Sequence, residues 1–484
     1  MKNSVGISVL FIVLISLGWI SLLLTPRNKV ENEIKAHVDQ ADDYINRELY
    51  QKAIEEYDAA LKIREDERIW EMKLDAHNSL YEWNSDDFYN SYLEAAQNAA
   101  KKYPMNVDFQ TTLADLYLER EDFVSAYKSL SAAIEFGNKD QKVVDYRFKV
   151  KYAFKTQVAY YLDYHSCVNG YFSICRRKGE WFYLNAADLS TENSKAYAFT
   201  GPIGKDGLRL VSFEEKCFLM NSKSVIQGIE RFIPEASGIF ADGLIPIKHE
   251  GKYHYYDILG DVQFDKESYD YAGSFSNGTA AVCKDNKWFI IDKNGEAVDD
   301  KVYEDVVLFL DGTYSKNNIK ILKYGGKYHL IVKEEERGEF DDVDILTDDG
   351  LIAVCVNGKW GYVNFEGEMK IEPKYLEAKS FSNGLAAVYN GTDWGFINKN
   401  DELAIDYQFL DADYFDNGRN CLVASYVEEK MTVPYEETVD GEILSVEYDT
   451  RLERQEDGST KVVGSKTVNV RTKQWQIISV YNEI

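Results

Sequence analysis

The sequence predicts a multidomain chain, α plus all-β, and three observations support this. An uncharged apolar run opens the chain, a helical 3.6-residue periodicity follows it, and from Tyr171 onward short apolar runs alternate with Gly, Asn and Asp turns. The expected fold is a transmembrane helix, then a helical solenoid, then a β-propeller of seven or eight small blades. An open β-solenoid is the alternative for the β part.

Length and charge limit the kinds of partner. At 484 residues the chain should hold more than one folded unit. It has 55 Lys and Arg against 82 Asp and Glu, which gives a net charge of 55 − 82 = −27. This balance argues against nucleic acid as a partner, because phosphate binding needs clustered cations. It argues equally against adsorption to an anionic membrane surface.

The apolar run Val5 to Leu24 contains 20 residues and no charge. This is the length at which a helix crosses a hydrocarbon core of roughly 30 Å. The run closes on Leu, Thr and Pro and not on the small residues of a signal-peptide cleavage site, so an uncleaved anchor over residues 1–29 is expected. A cleaved signal peptide is the alternative. The short N-terminal tail favours a single-pass topology with an extracytoplasmic body.

Residues 30–165 are expected to form helical repeats. In Tyr44 to Ala60 large and small residues alternate as they do where an Ala on one helix admits a Tyr from the next, and Leu113 to Phe136 repeats the order. These segments resemble the tetratricopeptide repeat, although Glu48 and Glu121 replace its usual glycine. The resemblance implies a solenoid whose concave face holds a peptide or protein; a rigid spacer is the alternative. A helix over Lys142 to Tyr161 is expected to cap the array.

From residue 166 the chain repeats itself with a period of 32 to 40 residues, which marks a repeat architecture. Each unit contains a glycine, an apolar run, a polar turn and an aromatic residue that we call the hook. One unit reads as a hairpin of Leu351 to Val356 and Trp360 to Phe365 around Asn357-Gly358, followed by an extended segment from Met369 to Tyr375. The hooks are Trp181, Cys217, Tyr253, Trp288, Tyr328, Trp360, Trp394 and, after an insertion, Trp475.

These residues resemble the bacterial WG repeat family, most closely in Gly350 to Tyr375 and in Gly384 to Tyr407. The resemblance implies a β-repeat domain over residues 166–484 and almost no chemistry. Because Cys and Tyr replace Trp at some hooks, we interpret the hooks as packing residues. The residues assigned this structural role are Trp181, Trp288, Trp360, Trp394, Trp475, Gly350, Gly361, Gly384 and Gly395.

The insertion at about residues 427–472 interrupts the last unit. Glu442 to Val470 reads as a long hairpin around Glu456-Asp457-Gly458. A charged hairpin that projects from a regular array is either a partner contact or a solvated decoration.

No catalytic, cofactor or metal set emerges from the residue pattern. His254 and His329 follow hooks and read as ordinary strand residues. The acidic run Glu334 to Asp349 lacks the Asp-x-Asp-x-Asp-Gly order of a calcium loop and reads as a solvated loop. Cys167 and Cys175 flank an Asn-Gly turn and form either a disulfide or two reduced thiols.

The expected function is that of a membrane-anchored, non-catalytic scaffold that binds a protein partner through its two repeat arrays. A glycan is the second kind of partner to consider. The alternatives are a structural spacer of the cell envelope and an enzyme acting on cell-wall glycan, which would need paired carboxylates in one cleft.

Overall fold

The computed structural model describes residues 28–192, 195–222, 224–229, 232–264, 267–416, 418–455 and 459–482. The chain forms two compact units, the first ending at Lys151 and the second beginning at Tyr152. Within the described ranges, no helix combines the length and apolar character needed to cross a membrane. The expected anchor at Val5 to Leu24 lies outside these ranges.

The described part of the first unit contains seven helices. They are α1 (28–46), α2 (Tyr50–Ile63), α3 (Glu67–Trp83), α4 (Ser85–Lys102), α5 (Val107–Glu119), α6 (Phe123–Phe136) and α7 (Gln141–Lys151). From α2 to α7 each helix packs against the next one along the chain. One apolar cluster runs from α1 to α5, and a second joins α5, α6 and α7.

Sequence accounts for where these helices begin and which side they bury. Ala53, Tyr57 and Ala60 are all buried in α2, so small residues do admit neighbouring helices closely. The side chains of Asp66, Asn84, Asn106 and Asp122 accept backbone N–H groups at the starts of α3, α4, α5 and α6. Glu48 and Glu121 both have φ of 58°, in the turns that follow α1 and α5.

The expected capping helix and domain boundary need correction. Helix α7 ends at Lys151 and does not reach Tyr161, and the second unit begins at Tyr152 instead of after residue 165. The reason is that Phe154–Thr156 are strand β1, which pairs with the last strand of the chain. Pairing with a distant strand overrides the local apolar pattern that suggested a helix.

The described residues of the second unit form eight small antiparallel sheets, numbered here in chain order. Sheet 1 contains β2 (Asp163–Val168), β3 (Tyr171–Arg177) and β4 (Glu180–Asn185), and sheet 2 contains β5 (Phe199–Thr200), β6 (Arg209–Phe213), β7 (Lys216–Met220) and β8 (Val225–Gly228). Sheet 3 contains β9 (Ala236–Ser237), β10 (Leu244–His249) and β11 (Lys252–Asp257), and sheet 4 contains β12 (Tyr271–Ala272), β13 (Thr279–Lys284) and β14 (Lys287–Asp292).

Sheets 5 to 7 have four strands each, and sheet 8 has five. Sheet 5 contains β15 (Asp305–Val307), β16 (Ile319–Tyr324), β17 (Lys327–Val332) and β18 (Glu335–Phe340), and sheet 6 contains β19 (Asp342–Val343), β20 (Leu351–Val356), β21 (Lys359–Asn364) and β22 (Met369–Tyr375). Sheet 7 contains β23 (Glu377–Ala378), β24 (Leu385–Tyr389), β25 (Trp394–Asn398) and β26 (Leu403–Phe409). Sheet 8 contains β1 together with β27 (Asp411–Ala412), β28 (Asn420–Pro434), β29 (Glu442–Arg454) and β30 (Thr460–Val480).

Sheet 6 confirms the unit predicted around Trp360. Strands β20 and β21 form the expected hairpin, and β22 is the expected third segment. Asn357 and Gly358 have φ of 52° and 73°. Two consecutive left-handed residues make the tight turn that suits the twist of a hairpin, which explains the Asn-Gly pair.

Sheet 8 is assembled from both ends of the unit. In most sheets the hook pairs with an aromatic residue of the segment that follows, as Trp360 pairs with Tyr375. Trp475 instead pairs with Tyr161, which precedes the first sheet in sequence. The N-terminal segment thus occupies the outer position that a following segment fills elsewhere. The other aromatic pairs are Trp181 with Tyr197, Tyr253 with Tyr269, Trp288 with Tyr303, Tyr328 with Phe340 and Trp394 with Phe409.

Sheets 1 and 8 contact each other directly. Phe172 of sheet 1 belongs to the same buried apolar cluster as Leu422 and Ile477 of sheet 8. The rings of Tyr164 and Trp475 lie 4.4 Å apart. Sheet 1 is therefore a neighbour of β28 and β30, which lie far from it in sequence.

The insertion extends sheet 8. Strands β29 and β30 pair from Arg454 and Thr460 onward, which confirms the predicted hairpin. In addition, β28 pairs with the other side of β30 as far as Pro434, so the extension has three strands. Tyr448 and Leu452 on β29 are exposed.

Candidate functional site

In each sheet a short first strand and the turn after it form what we call the inner segment; in sheet 8 this strand is β27. Each inner segment leads to a repeat glycine: Gly170, Gly207, Gly243, Gly278, Gly312, Gly350, Gly384 and Gly418. Successive inner segments are hydrogen-bonded to one another. Asp242 accepts the backbone N–H of Gly278 at 2.7 Å, and Asp349 accepts that of Gly384 at 2.6 Å. The Asx-Gly pairs of the repeat therefore join neighbouring sheets.

Inner segments of different sheets line a common cavity. It has a volume of about 470 Å³, and an adjoining space of about 180 Å³ shares much of its lining. We call the two spaces together the inner cavity. Sheets 1 to 6 contribute to it through, among others, Ser166, Thr200, Ser237, Tyr253, Tyr271, Leu310 and Ile345.

Two hydroxyl groups in this lining have no hydrogen-bond partner in the described part of the chain. They are Thr200 Oγ1 and Ser237 Oγ, and Thr200 is fully buried. A Cβ atom at Gly201 would collide with Ser237 Oγ, so this glycine leaves room for the hydroxyl. A buried hydroxyl without a partner costs free energy, and a ligand or ordered water that supplies the missing bond removes that cost.

Aromatic rings lie beside these hydroxyls. Tyr253 and Tyr271 line the inner cavity with ring centroids 5.2 Å apart. Tyr253 is buried, whereas Tyr271 is 36% exposed. Burial raises the pKa values of both phenols, so both stay neutral near pH 7. The site therefore combines flat apolar faces with neutral hydrogen-bonding groups.

Charged residues lie together in the inner segments of sheets 6, 7 and 8. Asp344, Lys379 and Asp413 each come two residues after the start of the first strand of their sheet. Tyr414 donates to both carboxylate oxygens of Asp344 at 2.8 Å, and Ser166 donates to Asp413 at 3.0 Å. This set, which we call the Asp413 cluster, joins sheets 6 and 8 as well as sheets 8 and 1.

Burial governs protonation in the Asp413 cluster. It raises the pKa of Asp413 to about 6 and that of Asp344 above its usual value, while the positive charge of Lys379 partly opposes both shifts. The pKa of Tyr414 is raised well above 10, first by burial and then by the Asp344 charge. Tyr414 therefore remains a neutral hydrogen-bond donor.

A second cavity, of about 290 Å³, lies by the turns of the inner segments of sheets 1, 5, 6 and 7 and is lined mainly by polar groups. Lys316 pairs with Asp311 at 2.9 Å and with Asp348 at 3.4 Å, and Asp349 also lines the cavity. The acidic side chains outnumber Lys316, so this cavity favours cationic groups.

The predicted hooks and glycines lie away from the inner cavity, except where Tyr253 replaces Trp. Trp394 is buried, and Trp181, Trp288, Trp360 and Trp475 are half-buried within their sheets. Gly350 and Gly384 have left-handed φ of 90° and 81°. A Cβ at Gly361 or Gly395 would lie 2.5 or 2.9 Å from a carbonyl oxygen of the next strand, so the backbone approach there requires glycine.

The structure bears on two further sequence interpretations. Within the acidic run Glu334 to Asp349, residues 335–340 and 342–343 form strands β18 and β19 and not a loop, although most side chains of β18 are exposed to solvent as expected. All six cysteines are free thiols, and Cys175 lies opposite Asp163 instead of Cys167. For the acidic run, the pairing of β18 with β17 outweighs the low strand propensity of its Glu residues, which is why a strand forms where the sequence indicated a loop.

Sequence reasoning missed Thr200, Ser237 and Asp413. A signal for them exists, since aligning the repeats on the glycine places these residues in the inner segments, five to seven positions before Gly207, Gly243 and Gly418. Aligning the repeats on the hooks does not reveal these residues, because the hooks lie on a different strand.

The comparison with protein families agrees with the β repeat. The family model described as WG containing repeat matches residues 268–288, 338–360, 360–391 and 394–423. No curated protein matches the chain. Among solved structures the chain is similar to BamB from Moraxella catarrhalis, with 12% identity and a TM-score of 0.37 over 56% of this chain and 96% of that one. Four matched segments in the second unit identify the chain as a WG-repeat protein.

Proposed function

We propose that the protein is a non-catalytic binding scaffold whose eight small sheets close into a β-propeller. Three features support closure: sheet 8 takes strands from both ends of the unit, sheet 1 packs against sheet 8, and inner segments of successive sheets line one cavity. Closure covers the sheet edges that an open array of short strands would expose. The open β-solenoid would separate the first and last sheets.

The inner cavity is the proposed binding site, and the observation that carries this proposal is the pair of unpartnered hydroxyls of Thr200 and Ser237 beside Tyr253 and Tyr271. These groups suit a neutral segment with both apolar and hydrogen-bonding atoms. We propose a segment of a partner protein as the ligand. A glycan has the same combination of groups and is the competing ligand.

The helical unit gives the scaffold a second surface. Its resemblance to tetratricopeptide repeats supports a role in holding a peptide or protein, while the apolar run Val5 to Leu24 supports a single-pass anchor with the body outside the cytoplasm. A spacer function would need neither the inner cavity nor its unpartnered hydroxyls.

The test is site-specific photo-crosslinking in cells of the full chain, with benzoylphenylalanine in place of Tyr271. The matched control places the same group at Tyr426, which is 58% exposed on the extension of sheet 8. We expect a discrete adduct from Tyr271 alone, and we expect Ser237→Leu, which fills the cavity, to abolish it. A protease-sensitive adduct identifies a protein ligand, and a glycosidase-sensitive one identifies a glycan.

Two results contradict the proposal. One is the same adducts from both positions, which would reflect random collision. The other is an adduct from Tyr271 that persists unchanged in Ser237→Leu protein shown to be folded by circular dichroism, because the cavity would then not be the site.

A further inference from the structure

We propose that His329, Glu336 and Glu339 on sheet 5 form a binding site for a divalent transition-metal ion of the zinc class. One donor atom from each of the three side chains lies within 4.8 Å of the others. The site lies on strands β17 and β18 and is separate from the inner cavity. The proposed metal site therefore does not depend on the proposed scaffold function.

A β-bulge brings the two carboxylates to the same side of the sheet. His329 pairs with Glu339 and Ile331 pairs with Glu336, so the two pairs are two positions apart on β17 but three positions apart on β18. Without the bulge, residues three apart on a strand would point to opposite faces. The extra residue thus moves Glu336 onto the face that holds His329 and Glu339. Bulges commonly redirect a side chain in this way next to functional sites.

The imidazole is held in an orientation that suits a metal ligand. His329 is 8% exposed, and its Nε2 lies 3.1 Å from the backbone oxygen of Tyr324. Nε2 must donate in this bond, because a carbonyl oxygen can only accept. Nδ1 lies 3.0 Å from a carboxylate oxygen of Glu336, and because that oxygen can only accept, Nδ1 donates a proton in this contact. A metal ion bound between the two groups would replace that proton, which leaves Nδ1 as the metal-binding nitrogen. A metal-binding His usually donates its second ring nitrogen to a carbonyl or carboxylate in this manner.

Tyr324, which is not itself a ligand, fixes both sides of the site. Its ring stacks on the imidazole with centroids 3.7 Å apart and planes 6° apart. Its hydroxyl donates to Glu336 at 3.0 Å. The ring limits the rotation of His329, and the hydroxyl holds the carboxylate near Nδ1. Tyr324 therefore orders two of the three donors, the imidazole of His329 and the carboxylate of Glu336.

The donor set indicates the class of ion. One imidazole nitrogen and two carboxylate oxygens suit zinc and its first-row neighbours, whereas calcium and magnesium prefer oxygen ligands alone. Zinc binds such donors at about 2.0–2.2 Å, so the donors have to close in around the ion. Glu336 already contacts Nδ1, and because Glu339 is exposed, rotation of its side chain can bring its carboxylate to the ion; water would complete the coordination. Two carboxylates also match the charge of a divalent cation.

The test is calorimetric titration of the full-length protein with Zn²⁺ in the presence of excess Mg²⁺, which occupies nonspecific acidic sites. We expect one site per chain that is retained in this background. Glu339→Gln and Glu336→Gln should each weaken Zn²⁺ binding by tenfold or more, in line with the loss of a ligand. Both residues are exposed, so neither substitution threatens the fold. Titration with Co²⁺ should give a visible absorption band that the same variants lose.

Two control variants test specificity. Glu335→Gln removes an exposed carboxylate of the same strand, and His254→Gln removes the histidine that follows a hook in sheet 3, as His329 does in sheet 5. Both should bind Zn²⁺ as the unaltered protein does. The proposal is overturned if the unaltered protein takes up no Zn²⁺ over Mg²⁺, which would leave His329 and Glu336 as an ion pair. Equal loss of binding in Glu335→Gln and Glu339→Gln would also overturn it.

Discussion

Replacing Asp413 by Asn should stabilise the second unit at neutral pH and have less effect in acid. Asp413 is 2% exposed, and burial raises the pKa of its carboxyl to about 6. A folded-state pKa above the unfolded value of about 3.9 means that the folded protein binds the proton more tightly, so stability falls as pH rises between the two values. Asn has the same shape and still accepts the bond from Ser166, but it carries no charge.

The size of the effect follows from the shift. Two pKa units correspond to about 3 kcal/mol of unfolding free energy at about pH 7.5, and roughly half of that remains at about pH 5. An unpartnered amide donor of Asn in this buried site would subtract a constant amount, on the order of 1–3 kcal/mol. The informative quantity is therefore the difference between the two pH values, about 1–2 kcal/mol, from which any constant amount cancels.

The cysteines provide the assay. All six lie beyond residue 152, five are buried and one is half-buried, so their exposure reports the unfolding of the second unit alone. Urea unfolding would be followed by thiol labelling with 4,4′-dithiodipyridine, which reacts in mild acid as well as at neutral pH. The control is Asp406→Asn, an exposed position on β26. A stability difference between Asp413→Asn and the parent that does not grow with pH would refute the reasoning, as would equal growth in the control.

The same assay checks two further substitutions. Gly361→Ala should destabilise the second unit by about 2 kcal/mol or more, because its Cβ would lie 2.5 Å from the carbonyl oxygen of Ile371, whereas Gly228→Ala, with only ordinary contacts, should cost at most about 1 kcal/mol. Equal costs would contradict the close approach. Tyr161→Ala should cost about 3 kcal/mol if this residue completes sheet 8, against less than about 1 kcal/mol for the exposed neighbour Tyr160→Ala; a small effect at Tyr161 would argue against closure.

Much of the fold could be predicted from residue patterns, because the local rules act within single units. The Asn357-Gly358 turn and the apolar run of β20, whose four central residues are all buried, specify a hairpin without reference to the rest of the chain. The Ala and Tyr order in α2 likewise specifies a packed helix face. The pairing of β1 with β30 could not be predicted, because its partners lie more than 300 residues apart and neither segment carries a signal for the other.

The candidate sites could not be predicted from the sequence, for a related reason. The inner cavity and the Asp413 cluster combine residues from several repeat units. Thr200 and Tyr271 each lie seven residues before a repeat glycine, but this shared position does not show that their side chains line one cavity, and no spacing relates Ser166 to Asp413. The His329 site depends on a single bulge at Arg337, which shifts the alternation of side chains by one residue. Reading β18 with a strict period of two would separate Glu336 from Glu339.

The pairing of Tyr161 with Trp475 in sheet 8 has a consequence for biosynthesis. Tyr161 is made early, but its partner comes 475 − 161 = 314 residues later in the chain. The N-terminal segment of the unit must therefore wait for β30 before it can pair, and such long-range pairing slows folding. Until β30 has been made, β28 keeps an unpaired edge, and exposed edges of this kind promote pairing with other chains.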